Sequence, residues 1–303
     1  MGHAGERAGS DPETLETADP FNTEGLDSKL SFVLGRYYER NFGGPAAWEA
    51  TQSIRFDGVL NVSGGRFPFV AFKKKPNLCK VVLFTPGGGR IVSAYDGSDA
   101  WALNTSQQNG QPVSMPEKEA QDFIRDASFF GHLVYPKLKS KQIEILGVTR
   151  VEDNSCYEIK ITLPNGAEIL SFLDTASYAE RKIVATNAST GQQETIIFSD
   201  FREIGGVRFP FASVKRAGGE MIHRVETTQI QLNLGVMSWM FQRPAGAYVP
   251  GLLSAPVDRS EPARETLPPA QGSGRFGEDR WTVFPDPEQS GNPVPNLLNN
   301  SVF

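Results

Sequence analysis

Residues 80–104 read KVVLFTPGGGRIVSAYDGSDAWALN, and this stretch decides the fold class. Two short runs rich in β-branched and aromatic residues, 80–84 and 90–95, flank Pro86-Gly87-Gly88-Gly89. Pro and Gly supply the backbone angles of a tight reversal, so the pair reads as a hairpin. Asp96-Gly97 turns the chain again, and a third run, 101–104, follows. Working outward, the same grammar recurs on both sides. Runs at 53–62 and 67–74 precede it; runs at 143–150, 156–163, 168–173, 180–186, 194–201, 207–215 and 221–234 follow. Pro164-Asn165-Gly166, Gly205-Gly206 and Gly218-Gly219 supply further turns. So many consecutive strands predict a large antiparallel meander. A parallel sheet needs a helix between successive strands, and only one helical insert, about 116–135, interrupts the run.

The flanks read differently. Residues 1–24 are acidic and rich in Gly, Pro, Thr and Glu, and predict a flexible lead. A helix follows: Asp27 suits its N-cap, Leu30, Val33, Leu34, Tyr37 and Tyr38 recur at helical spacing, and Gly43-Gly44-Pro45 stops it. In the insert, Ala120, Phe123 and Ile124 form one apolar face that Phe129, Phe130, Leu133 and Val134 continue. Residues 245–303 hold nine prolines and no sustained period, and predict a largely irregular tail, with aromatic sites at 281–284 and 297–303 suited to docking on the body. The expected division is therefore a lead at 1–24, one domain at 25–244 and the tail.

Composition narrows the function classes. The 303 residues are 39% hydrophobic, which suffices for a sizeable core, and 20 of them are Phe, an aromatic without a polar handle. A net charge of −5 argues against nucleic acid as partner, which needs clustered Lys and Arg. The one basic run, Lys73-Lys74-Lys75, reads as a solvated strand edge. No apolar run is long enough to span a membrane, and the N-terminus has no hydrophobic signal segment, which fits either a cytosolic protein or a secreted one in mature form. Cys79 and Cys156 permit one disulfide, with two separate buried thiols as the plainer reading.

The chemistry-bearing residues do not cluster. His3, His132 and His223 have no metal-ligand partners at a telling spacing. There is no nucleophile elbow, and Gly87-Gly88-Gly89 lacks the Lys and Ser/Thr of a phosphate loop. No catalytic residue, metal site or cofactor is expected. What remains is a sheet with many aromatics, roughly a dozen strands and about two helices to cover them. That shortage of covering mass favours a closed or nearly closed shape enclosing a cavity, with a solidly packed barrel core as the competing reading.

Lys73-Lys74-Lys75-Pro76-Asn77-Leu78, followed by a strand, a Gly-rich turn, a strand and Tyr95-Asp96-Gly97-Ser98-Asp99-Ala100-Trp101, resembles the periplasmic lipoprotein-carrier family of LolA/LolB type. The strand ending at Asp174 followed by Arg181-Lys182 is similar to that family too. So are Phe198-Ser199-Asp200 with Gly205-Gly206-Val207-Arg208-Phe209-Pro210, and the closing Phe241-Gln242-Arg243-Pro244. Together these motifs cover about residues 26–244. The resemblance implies a mainly β protein with a few helices: a strongly curved antiparallel half-barrel with a helical lid over a hydrophobic cavity. It implies binding or carriage of lipid, acyl chains or lipidated protein, without catalysis, in the periplasm or another extracytoplasmic space, the signal peptide being absent from this sequence. An envelope protein is a further partner it allows; an interaction or structural module on the same fold is the alternative. Phe69, Trp101, Phe123, Phe129, Phe130, Leu133 and Phe172 are the expected cavity or lid residues. Lys75 stands where the carriers place a basic lid-holding residue. An ammonium there lacks the planar fork of a guanidinium and implies lid control that is looser or absent.

Overall fold

The computed structural model describes residues 18–106, 110–138 and 140–245. His3, the lead up to residue 17, and the tail from residue 246 with its aromatic sites at 281–284 and 297–303 lie outside the described residues. The chain runs α1 (Ser28–Phe42), α2 (Gly44–Ala50), β1 (Ser53–Val62), β2 (Gly65–Lys74), β3 (Leu78–Phe84), β4 (Arg90–Tyr95), β5 (Ala100–Asn104), β6 (Val113–Ser114), α3 (Glu117–Asp126), β7 (Gln142–Val151), β8 (Asn154–Thr162), β9 (Glu168–Asp174), β10 (Glu180–Thr186), β11 (Gln193–Ile204), β12 (Val207–Ala217) and β13 (Glu220–Leu232). No helix among the described residues is long and apolar enough to cross a membrane.

All thirteen strands join one antiparallel sheet in the order β6-β5-β4-β3-β2-β1-β13-β12-β11-β10-β9-β8-β7. It consists of two meanders, β1–β6 and β7–β13, stitched at the centre by β1 against β13, with Ile54 opposite Leu232. The expected strongly curved half-barrel is therefore not what forms. The sheet is open, neither closed nor strongly curved, with β6 and β7 as its two edges. The covering mass that two helices cannot supply comes from segments without a helical period. Residues 127–134 bury Phe129, Leu133 and Val134 on one face of the sheet. On the other face, Val236 and Phe241 pack on Val70, Phe72 and Leu78. Periodicity arguments count helices and miss such segments.

The main core lies on the face that carries the helices, called the inner face below. There α1 buries Leu30, Val33, Leu34, Tyr37, Tyr38 and Phe42. Its start is fixed by Asp27 Oδ1, which accepts from Lys29 N and Leu30 N at 3.0 and 3.1 Å. Its stop is Gly43, at φ 64°. From Gly44 the chain enters α2 at once, with Pro45 in its first turn, where a missing N–H costs nothing. The helical part of the insert is shorter than its apolar pattern suggests. It ends at Asp126, and positive φ at Phe130, Gly131 and Tyr135 breaks the path beyond. Cys79 and Cys156 are free buried thiols on β3 and β8, in separate apolar clusters.

Candidate functional site

A cavity of about 180 Å³ lies between the inner face of the sheet, the end of α1 and residues 125–132. An apolar cavity of about 150 Å³ is large enough to take up benzene. Tyr37 and Phe42 of α1, Ile54 and Phe56 of β1, Ile183 of β10, Phe198 and Phe201 of β11, Phe209 of β12 and Phe130 supply the large apolar and aromatic side chains of its wall. Arg125, Ser128, Gly131 and His132 line both this cavity and a more open groove that reaches Pro76, Asn77 and Asn165. That segment is thus a wall one layer thick.

Two irregularities aim side chains into the cavity. In a regular strand, residues three apart point to opposite faces. Glu180 and Ile183 nevertheless both line the cavity, because the ladder to β9 skips a residue between Glu180 and Lys182. The bulge places Arg181 out of register and turns Glu180 inward. On β11 the register with β12 is unbroken, Ser199 opposite Ala212 and Phe201 opposite Pro210, but Asp200 sits at φ 53°. Phe198 and Phe201, also three apart, both reach the cavity, while Asp200 pairs with Arg202 at the surface, 2.6 Å away.

One end of the cavity is ionic and electrically balanced. Arg125 Nε is 2.7 Å from Asp126 Oδ1, and its Nη1 is 2.9 Å from Asp122 Oδ1. Lys215 Nζ lies 2.8 Å from Glu194 Oε2 and 3.8 Å from Asp126 Oδ2. Lys73 Nζ donates to Ser128 O at 2.9 Å. Asp122 also accepts from Ala188 N and Ser189 N, tying α3 to the loop after β10. Burial works against the Arg125 charge, but the carboxylates of Asp126, Asp122 and Glu194 outweigh it and raise its pKa. Burial lowers the pKa of Lys73 and drives that of His132 down to about 3, so the imidazole is neutral near pH 7.

Glu180 differs from the other acids of the lining, because among the described residues no ion pair reaches it. Ser171 Oγ donates to its Oε1 at 2.5 Å. Burial raises its pKa to about 7, against the pull of the Ser171 hydrogen bond. It also raises the Tyr37 hydroxyl, whose own burial is the larger cause.

The residues expected from sequence fall in different places. Phe130 lines the cavity, and Phe129 packs on it edge-on with ring centroids 4.7 Å apart while lining the outer groove. Phe69, Phe123 and Leu133 are buried in the same inner core but outside the lining. Trp101 lies on the opposite face with Val82, Val92 and Leu103. Phe172 packs with Val151, Cys156 and Val184, and Lys182 Nζ lies 4.7 Å from its ring centre. Lys75 Nζ donates to Trp48 O, stands 4.3 Å from the Trp48 ring centre, and has its pKa lowered to about 8 by burial. Sequence reading overlooked Glu180 as a site residue. The signal for it, a bulge, leaves no mark in the residue pattern. Among the described residues, no group of three or more His, Cys, Asp or Glu is placed to hold a metal ion.

No family model matches the chain, and no curated protein matches it. Solved structures do. A DUF1329 family protein from Desulfovibrio piger superposes with a TM-score of 0.51 at 12% identity, over 74% of this chain and 98% of that one. A LolA superfamily protein from Nitrosomonas europaea gives 0.46 at 14% identity, over 70% and 97%. A domain assigned to outer membrane lipoprotein sorting, from Vibrio parahaemolyticus, gives 0.48 at 11%, over 69% and 94%. At these identities the likeness is one of fold, and the Desulfovibrio protein is the one of the three whose superposition carries it.

Proposed function

We propose that this protein binds an acyl chain, of a lipid or of a lipidated protein, in the inner-face cavity, as a non-enzymatic component of the cell envelope. The observation that carries the reading is the cavity wall. Aromatic and aliphatic side chains from α1 and six strands converge on one space, and a bulge on β10 turns an extra side chain into it. A bulge of this kind is a feature of a site rather than a defect. A cavity of about 180 Å³ takes a short stretch of one chain. Each methylene buried contributes about 0.8 kcal/mol, so affinity needs little polar help. The wall of residues 125–132 separates the cavity from the outer groove and is the natural cover. Placement in the envelope rests on the sequence resemblance.

A second reading is an envelope interaction module with no carried ligand. It is favoured by Leu234, Met237 and Trp239, all about half exposed on one anchored loop. Native mass spectrometry of the protein purified from cells, with organic extraction of any adduct, tests between the two. A stoichiometric acyl-bearing adduct, displaced by added fatty acid or alcohol, is the expected result. A clean apo mass with no uptake of either overturns the binding reading in favour of the module.

A further inference from the structure

We infer that the ligand of the cavity carries an uncharged hydrogen-bond-donating head, a hydroxyl or an amide N–H, and that this head meets the carboxyl of Glu180. This deepens the proposed function and rests on it, because it names the chemical class that the acyl-binding cavity selects: neutral amphiphiles rather than fatty-acid anions.

The bulge on β10 brings a carboxyl group into a cavity whose wall also holds Ile169, Ile183 and Phe130. Ser171 occupies Oε1. Oε2 is directed toward Gly131, where an added Cβ would stand 3.8 Å away. A buried polar group without a matching partner is costly, so a structure that turns one into a cavity selects what enters. A carboxylate head is the wrong partner, since both groups would accept. Compensation for it is lacking at this point of the wall, because among the described residues no cation lies within ion-pair distance of Glu180. Arg125 is held by Asp122 and Asp126, Lys73 donates to Ser128 O, and Arg208 donates to Ser177 O. An ammonium head would carry a full charge into an apolar space, opposite an acid whose pKa of about 7 leaves it half neutral near pH 7. A hydroxyl or amide N–H donates to Glu180 in its ionised form, and a hydroxyl can also accept from its protonated form.

The groups around Glu180 leave its titration legible. Tyr37 faces it from α1 with a raised pKa, His132 from the 127–138 segment is neutral above about pH 3, and Arg208 stands on β12. The ionic cluster of Lys73, Arg125, Asp126 and Glu194 is balanced at the other end.

The test uses three probes of equal chain length, octanol, octanoate and octylamine, with the full chain and with Glu180→Gln. Binding is read by calorimetry. At about pH 8.5, with Glu180 ionised, the octanol-to-octanoate affinity ratio is expected to exceed that of Glu180→Gln by about tenfold or more, the size of one charge-assisted hydrogen bond. The wild-type protein alone gives a second readout that needs no variant. Its affinity for octanoate rises as pH falls through about 7, above the range in which octanoate itself protonates. Equal ratios in the two proteins together with a flat octanoate profile overturn the head-group assignment while leaving acyl binding intact. Tighter binding of octylamine than of octanol overturns it in favour of a cationic head. Failure of all three probes to bind overturns the acyl-binding reading itself, and the assignment with it.

Discussion

Trp101 Nε1 donates to Phe241 O at 2.8 Å, joining positions 140 residues apart. The bond pins the segment after β13 onto the outer face of β5, where Trp101 is almost wholly buried. Trp101→Phe keeps an aromatic ring but removes the donor and leaves a buried carbonyl unpaired. We expect a loss of about 1–3 kcal/mol in urea unfolding, with the m-value unchanged. A loss under about 0.5 kcal/mol would mean that solvent reaches this carbonyl.

Asp122 makes the polar anchor of α3, accepting from Arg125, Ala188 N, Ser189 N and Ser189 Oγ. Asp122→Asn keeps the shape and removes the charge, leaving Arg125 in excess positive charge in a buried setting. Breaking a buried pair in this way costs about 3–5 kcal/mol when no other partner remains. Asp126 and Glu194 stay close to Arg125, so the expected loss is the lower end, about 3 kcal/mol. Hydrogen exchange on the α3 amides checks where the loss falls: it should appear in α3 before the β1–β13 seam.

Two glycines give opposite outcomes for one substitution. A Cβ on Gly58 would stand 2.4 Å from Glu226 O and 2.8 Å from the buried Phe69 ring. Backbone cannot give way there, and Gly58→Ala is expected to cost more than about 2 kcal/mol. Gly35 is exposed within α1 and has nothing within 4 Å of an added Cβ. Gly35→Ala should stabilise by about 0.5–1 kcal/mol. Thermal melts of both variants beside the wild type check the pair.

Glu180 makes stability depend on pH in a known direction. Its folded pKa, about 7, lies above the ordinary 4.5, so between these values the folded state holds a proton that the unfolded chain releases. Stability from this group is complete below about pH 4.5 and is lost as pH rises through about 7. Glu180→Gln removes this dependence. The stability difference between variant and wild type should therefore widen in favour of the variant from about pH 4.5 to 8, by up to about 3 kcal/mol. A difference that stays constant with pH would place the carboxyl in contact with bulk water.

The strands were readable because hairpin turns announce themselves. Pro86-Gly87-Gly88-Gly89, Asp96-Gly97, Pro164-Asn165-Gly166, Gly205-Gly206 and Gly218-Gly219 all fall between the observed strands, and the expected run 90–95 coincides with β4. The first helix was readable from its Asp27 cap and the spacing of its apolar face. Side-chain direction was harder to read. Trp101 and Phe172 face away from the inner core, while Glu180 reaches the cavity only through a shifted register. One extra residue in a strand inverts every assignment beyond it, and nothing in the composition records that residue. The openness of the sheet was hidden for a related reason. The segments that cover it, 127–134 and 236–241, bury apolar side chains without a period.

The central seam has a consequence for the order in which this protein is made. Every strand of β1–β6 pairs with its sequence neighbour, so the first wing can zip up from local contacts as it leaves the ribosome. The strand that completes β1 is the last of all, β13. Until it is synthesised, the nascent first wing carries β1, ten residues long, as a bare edge, the kind of template on which chains add to one another. Synthesis of the second wing is thus the interval in which a newborn chain needs protection, and the arrival of β13 ends it.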